Sequence, residues 1–454
     1  MNKCDQTRTP FQKAGIGRVG YAINPNLQHL LCMAVMLGVI MTLTACVTKR
    51  VAPPPAGEIY RVPWGALPVE SWDQSASKSF LEDLSEGDKT YLEDFRSKNP
   101  NKRLQFNILA LSGGGSHGAY GAGVLTGWTA SGKRPEFGTV TGISTGALMA
   151  TAAFLGSEYD YMLRRYTKIT NEDIYREEGI ALFALLGESV RDTAPLRETI
   201  AELIDGKVLE AVAREHARGR RLFIGTTNLD TQAFMVWDMG IIASSDRPDK
   251  LERYRKVILA SASIPVLFPP VYISVDGGKE SYQQMHVDGG VREMVFYYDF
   301  IEAVDAAFTS AGLTRADVNI NLYVLYNGDL YASGKYDPVE PTLLSIASST
   351  LSALMRTNTL GSLYRVYVQA LVYGINFHLA YIPSEFQPLG DSVDFNPEDM
   401  ARLFDFGYNQ SITDEVWRTQ GAVDDFDELI RTIDPMEALQ QFEARPPFDP
   451  ELPE

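Results

Sequence analysis

The stretch Leu111-Ser-Gly-Gly-Gly-Ser-His-Gly-Ala-Tyr-Gly-Ala-Gly123 holds six glycines in thirteen positions. It succeeds Leu104-Gln-Phe-Asn-Ile-Leu-Ala110, a run with the length and apolar content of a buried strand, and leads into a helix-length segment at 117–130. Glycine costs backbone entropy, so a cluster of this density needs a task. At a strand-to-helix turn the exposed N–H groups can cradle a phosphate or hold an oxyanion. A strand, a tight turn and a helix in succession also limit the fold: this part of the chain belongs to an α/β architecture.

The alternation continues. Strand-like runs fall at 104–111, 137–141, 221–227, 233–237, 284–287 and 319–326, with another at 377–382. Helical stretches lie near 117–130, 145–155, 195–215, 251–262 and 397–409. Residues 341–376 read as a long helix, interrupted near Gly361. This order predicts a mainly parallel central sheet with helices on both faces.

Two motifs compete to explain the glycine turn. Gly113-x-Gly115-x-x-Gly118 matches the dinucleotide fingerprint, and Glu136 lies near where a ribose-binding acid belongs. The second motif is Gly142-Ile-Ser144-Thr-Gly146, which comes after an apolar run and opens the helical segment Ala147–Phe154. That is the setting of a nucleophile elbow, with glycines at −2 and +2 allowing a sharp turn at Ser144. Alone, such a serine is an ordinary helix N-cap. Together the motifs supply a nucleophile and donors for its oxyanion. A base is still needed, and the histidine candidates are His216, His286 and His378.

The glycine turn precedes the serine by only 31 residues (144 − 113). That spacing, together with motifs further along the chain, resembles the patatin-like phospholipase family. The resemblance rests on Gly113-Gly114-Gly115-x-x-Gly118, then Gly142-x-Ser144-x-Gly146, then a D-G-G triplet. It is reinforced by Asp192-Thr-Ala-Pro-Leu196, Thr226-Thr-Asn-Leu-Asp230 and Ala260-Ser-Ala-Ser-Ile-Pro-Val-Leu-Phe-Pro-Pro270. It spans roughly residues 104–300, more loosely to about 410. The resemblance implies a three-layer α/β sandwich and a Ser–Asp dyad without histidine. It makes Ser144 the nucleophile and Gly113, Gly114 and Gly115 the oxyanion loop, with Gly118, Gly142 and Gly146 as motif glycines.

Two triplets compete for the acid. Asp276-Gly-Gly278 reads as a hairpin turn, since Asp-Gly is a turn dipeptide. Asp288-Gly289-Gly290 closes the strand Gln284–Val287, and a strand C-terminal edge is where such sheets place reactive groups. Asp288 is the expected general base. The implied chemistry is attack by Ser144 on an ester carbonyl, an acyl-enzyme, and release by water. At one position the chain departs from the family, which usually has Arg or Lys where this chain has His117; that residue either acts on a leaving group or caps a helix.

The N-terminus is a separate matter. Lys3, Arg8, Lys13 and Arg18 precede an apolar run from Leu30 to Ala45, short for a membrane span and typical of a secretory signal. It ends in Leu43-Thr-Ala-Cys46, which resembles a bacterial lipobox. That implies cleavage before Cys46 and acylation there, and, with Val47 next, an outer-membrane address. Removal of residues 1–45 takes the net charge from −17 to −20, because that segment carries four positive charges and one negative. So acidic a chain is a poor nucleic-acid partner, and membrane contact is expected through the anchor. Cys4 and Cys32 leave with the signal, so no disulfide is expected.

The expected organisation is a signal at 1–45, a tether and extension at 46–100, a catalytic domain at 101–410 and an acidic tail at 411–454. No cofactor or metal is expected. The leading expectation is a lipolytic acyl hydrolase acting on membrane lipid or another acyl ester. Two others stand beside it: an α/β-hydrolase-like esterase using His286 or His378, and a non-catalytic lipid-binding lipoprotein.

Overall fold

In the computed structural model, the strand Leu104–Leu111 (β2) sends its buried side chains into two separate cores. Leu104, Phe106, Ile108 and Ala110 enter one, and Leu109 and Leu111 the other. Its sequence alternates apolar and polar from Leu104 to Ile108 and turns continuously apolar from Ile108 to Leu111, where both faces are covered. The structure describes 104–177, 191–275, 282–297, 317–330, 338–384 and 391–419 almost without interruption, with shorter stretches between 53 and 98 and around 189, 308–313 and 386. The signal, Cys46, Asp276 and the tail beyond 419 lie outside the described residues.

Strands are numbered along the chain: β1 Ala66–Pro68, β2, β3 Thr139–Gly142, β4 Arg176–Glu177, β5 Arg191–Asp192, β6 Arg221–Asn228, β7 Ala233–Asp238, β8 Val271–Val275, β9 Tyr282–Asp288, β10 Val318–Leu325, β11 Asn376–Ala380 and β12 Arg418–Thr419. The main sheet runs β1-β7-β6-β3-β2-β10-β11-β12. Its centre is parallel: β6 with β3, β3 with β2, β2 with β10, and β10 with β11. The edges β1, β7 and β12 are antiparallel. This is a three-layer α/β fold with a mixed, mostly parallel sheet.

The principal helices are α1 Gly118–Ala130, α2 Thr145–Leu155, α3 Ala194–Leu203, α4 Gly206–Ala217, α5 Lys250–Ser261, α6 Leu343–Val372 and α7 Pro397–Thr413. The first five and α7 bury side chains in the larger core, around Trp237, Phe154 and Tyr254. Helix α6 supplies Leu363, Val366, Tyr367 and Ala370 to the smaller core on the other face. Each large apolar side chain removed from water in these layers contributes about 1.5–3 kcal/mol. The helix expected at 195–215 is two helices, divided where the Asp205 carboxylate accepts from the amides of Lys207 and Val208. The break expected near Gly361 is absent; Gly361 faces open space and the helix runs through it.

One register brings Ser144 and Asp288 to the same end of the sheet. β3 covers residues 221–224 of β6, with Gly142 opposite Ile224. The other edge of β6 is held by β7 along 223–228. The antiparallel β9 therefore takes the edge that β3 vacates, pairing with 226–228 and placing Asp288 opposite Thr226. The end of β9 thus arrives where the chain leaves β3 and turns at residues 143–144.

Candidate active site

Ser144 sits at the strand–helix junction between β3 and α2 with φ 55° and ψ −123°, a positive-φ conformation that a serine adopts only when its surroundings impose it. The constraint comes from close packing. A Cβ on Gly146 would lie 2.4 Å from the Leu111 carbonyl oxygen, and one on Gly118 would lie 2.1 Å from Thr145 Oγ1. The N-termini of α1 and α2 are therefore in contact, and the two glycine motifs form one structure. The Ser144 amide donates to Ser261 Oγ at 3.0 Å, and that hydroxyl donates to the Gly225 carbonyl at 2.6 Å. Ser261 is fully buried at the end of α5 and ties the elbow to β6.

Asp288 ends β9 and is completely buried. Its amide donates to the Ser263 carbonyl at 2.8 Å, so the segment 261–263 holds both the serine and the aspartate. Its Oδ1 accepts the Gly290 amide at 2.7 Å. Oδ2 is buried with no donor at hydrogen-bond geometry. The Ser144 hydroxyl is near enough to favour the ionised carboxylate, a contact short of a formed hydrogen bond. Burial dominates: it pushes the Asp288 carboxyl up to about 7, against the smaller opposing pull of the Ser144 hydroxyl and the Gly290 amide.

The glycine loop succeeds β2. Gly114 has φ 153° and Gly115 φ 57°, conformations closed to most side chains. There is also no room for a side chain: a Cβ on Gly114 would lie 2.1 Å from the Asn327 carbonyl oxygen, and one on Gly115 2.0 Å from that of Ser392. The Gly113 amide donates to the Met294 carbonyl at 3.2 Å, so it is not an open donor. Among the described residues the amides of Gly114 and Gly115 meet no backbone acceptor. A Cβ on Gly113 would sit 3.2 Å from Ser144 Cβ, which places the loop directly against the serine.

Two supporting residues escaped the sequence reasoning. Asn327, buried just beyond β10, donates its amide to Ser112 Oγ and its side-chain Nδ2 to the Ser112 carbonyl, while its Oδ1 accepts the Gly121 amide. It clamps both ends of the glycine loop. Asn358, on α6, donates to the carbonyls of Gly290 and Val291 at 3.3 and 3.4 Å, fixing the turn after Asp288. Neither belongs to a motif; each acts through a contact more than sixty residues distant in the chain.

Among the described residues no histidine makes a hydrogen bond to Ser144 or Asp288. His286 is fully buried, with Nδ1 paired to Thr226 Oγ1 at 3.1 Å and its ring edge-on to Trp237. Burial pushes its pKa down to about 3, so it is neutral. His378, on β11 and three strands from β3 in the sheet order, stacks on Tyr323 of β10. His216, in α4, lies beside Asp238 at 3.8 Å. His117 makes no side-chain cap hydrogen bond to α1, and its Nε2 is buried without a partner. Glu136 precedes β3, at the opposite end of the sheet from the glycine loop, and pairs with Arg218. A ribose acid in that position would not reach a nucleotide held by the loop, so the dinucleotide reading has no structural support.

Chemically, the arrangement sets the hydroxyl of a serine with a strained backbone beside a carboxyl of raised pKa, with the amides of Gly114 and Gly115 in the adjoining loop. A family model described as Patatin, patatin-like phospholipase, matches residues 109–301. Among solved structures, VipD from Legionella pneumophila is similar over 70% of this chain and 68% of its own, at 15% identity and a TM-score of 0.30. Comparison with curated proteins gives no match.

Proposed function

Taking as premise that the chain carries a patatin-like phospholipase domain over residues 109–301, we propose that it is a serine acyl hydrolase cleaving carboxylic esters of lipids through Ser144 and Asp288. One observation carries the reading: a buried Asp288 with an unpartnered Oδ2 beside the strained Ser144. As Ser144 Oγ attacks the ester carbonyl carbon, its proton passes to Asp288, whose raised pKa brings an otherwise weak base near working pH. The carbonyl electron pair moves to oxygen, where the Gly114 and Gly115 amides receive it; a donor so placed is worth ~3–4 kcal/mol.

Collapse expels the alcohol, which takes the proton back from Asp288 and leaves the acyl group on Ser144. Water then attacks this ester, giving its proton to Asp288 and releasing the fatty acid, with the proton returned to Ser144. His286 and His378 are committed to other partners or distant strands, which favours the dyad over a histidine triad. Cys46 is, in the same proposal, the acylated residue of an outer-membrane lipoprotein, on the strength of its lipobox-like sequence.

The test is labelling by a serine-reactive fluorophosphonate together with hydrolysis of a soluble ester. Ser144→Ala should abolish both with the fold intact. Full labelling of that variant would remove Ser144 from the mechanism.

A further inference from the structure

Helix α6 spans 30 residues, yet its packed side chains gather in its C-terminal half. Thr359, Ser362, Leu363, Val366 and Ala370 are buried, whereas Leu343, Ile346 and Leu354 are 74%, 51% and 64% exposed. In helical projection the exposed residues form a stripe on the side opposite the packed one. From Leu343 to Met355 there is no charged residue, in a chain of net charge −17. Ser345, Ala347, Ser348, Ser349, Thr350, Ser352 and Ala353 make most of the rest of that half small or hydroxylic.

This half of the helix also borders the candidate site. The Met355 methyl lies close enough that a Cβ on Gly290 would sit 2.9 Å from it. One turn on, Asn358 binds the Gly290 and Val291 carbonyls. An exposed apolar stripe joined to the turn that holds the base calls for a partner.

We propose that residues 343–355 form an interfacial helix that rests on a lipid surface and seats the active site against it, an inference resting on the acyl-hydrolase reading above. Charge selects the occupant. An acidic protein is repelled by anionic lipid headgroups, and an uncharged helix offers the surface on which a bilayer is met with least repulsion. A second copy of the chain is the poorer fit: the exposed apolar side chains Leu343, Ile346 and Leu354, even with Leu371 and Val372 further along the helix, fall short of the roughly 20–30 residues a side of a stable interface. The lipid anchor would hold the protein near the membrane, and this helix would orient the site toward it.

The experiment uses the full chain carrying Leu343→Ser, Ile346→Ser and Leu354→Ser together, and separately Ile346→Asp with Leu354→Asp. These side chains are exposed, so both variants should fold. Hydrolysis of phosphatidylcholine in vesicles should fall by about tenfold or more, equivalent to about 1.4 kcal/mol of lost interfacial binding. Hydrolysis of a soluble short-chain ester should be unchanged. In the Ser144→Ala chain, amide hydrogen exchange over 343–355 should slow when phosphatidylcholine vesicles are added. Equal loss on both substrates, no loss on either, or a dimer that dissociates in the variants would overturn the proposal. If Ser144→Ala retains ester hydrolysis, the functional reading fails instead, while the exchange measurement still judges the helix.

Discussion

Asp288→Asn should make the protein more stable while removing its activity, and the gain should depend on pH. Burial raises the carboxyl from 3.8 to about 7 in the folded chain. A folded-state pKa above the unfolded one means that the native state binds the proton more tightly. The associated stabilisation is complete below about pH 4 and is lost as pH rises through 7. A shift of about three units corresponds to ~4 kcal/mol of destabilisation once Asp288 is ionised. At pH 5, only about one unit above the unfolded pKa, the cost has reached roughly 2 kcal/mol. Asparagine keeps an oxygen for the Gly290 amide and carries no charge to desolvate. The stability gap between the Asp288→Asn variant and wild type should therefore widen by about 2–3 kcal/mol from pH 5 to pH 8. Urea unfolding of both proteins at the two pH values measures it. A variant no more stable than wild type at pH 8, or a gap that does not widen, would show that Asp288 is not a strained buried carboxyl and would undercut its role as base.

The same carboxyl should set the acid limb of kcat/KM: the base must be ionised, so activity on a soluble ester should fall tenfold per pH unit below about 7, and a limb near pH 4 would refute the assignment. Ser261→Ala removes the acceptor of the Ser144 amide, and should cost about 1–3 kcal/mol in stability and lower kcat more than it raises KM; an unchanged kcat would separate Ser261 from the elbow. His286→Gln and Asp276→Asn should each retain most ester hydrolysis, whereas a dead His286 variant would restore the triad. Cys46→Ala should block lipid attachment, read by metabolic labelling with a palmitate analogue, and unaltered labelling would move the acylation site elsewhere.

How much could be read from the sequence depends on the range of the forces involved. β2 and α2 were legible residue for residue, because the alternating and then apolar run of β2 and the continuous apolar run of α2 each mark a buried element. Ser144 was legible because its strained turn demands glycines at fixed short offsets. Asp288 could be preferred over Asp276 by its place at the end of a strand and by the Val291 that follows, as in the resembled family; its closeness to Ser144 depends on which edge of β6 the strand β9 occupies, a choice made by β7 and β3. Asn327 and Ser261 left no local trace, since a buried asparagine or serine resembles any other until the carbonyl it serves is known. The role assigned to Gly113 shows the same limit: whether a loop amide is open depends on Met294, far along the chain. The uninterrupted run of α6 through Gly361 reflects a helix held by packing beyond that glycine, where the ~1 kcal/mol cost of glycine is readily absorbed.

The replacement of β3 by β9 along one edge of β6 has a kinetic consequence. Ser144 and its turn belong to a local β-turn-α unit that can form early, while Asp288 comes into place only when a strand from much later in the chain closes a long loop onto β6. Ser144 and Asp288 are thus joined across a long stretch of chain. During refolding, helix content should return well before reactivity toward a fluorophosphonate does. On the proposed mechanism, reactivity of Ser144 would then serve as a built-in clock for the docking of β9, and a partly folded chain would remain chemically silent until that strand arrives.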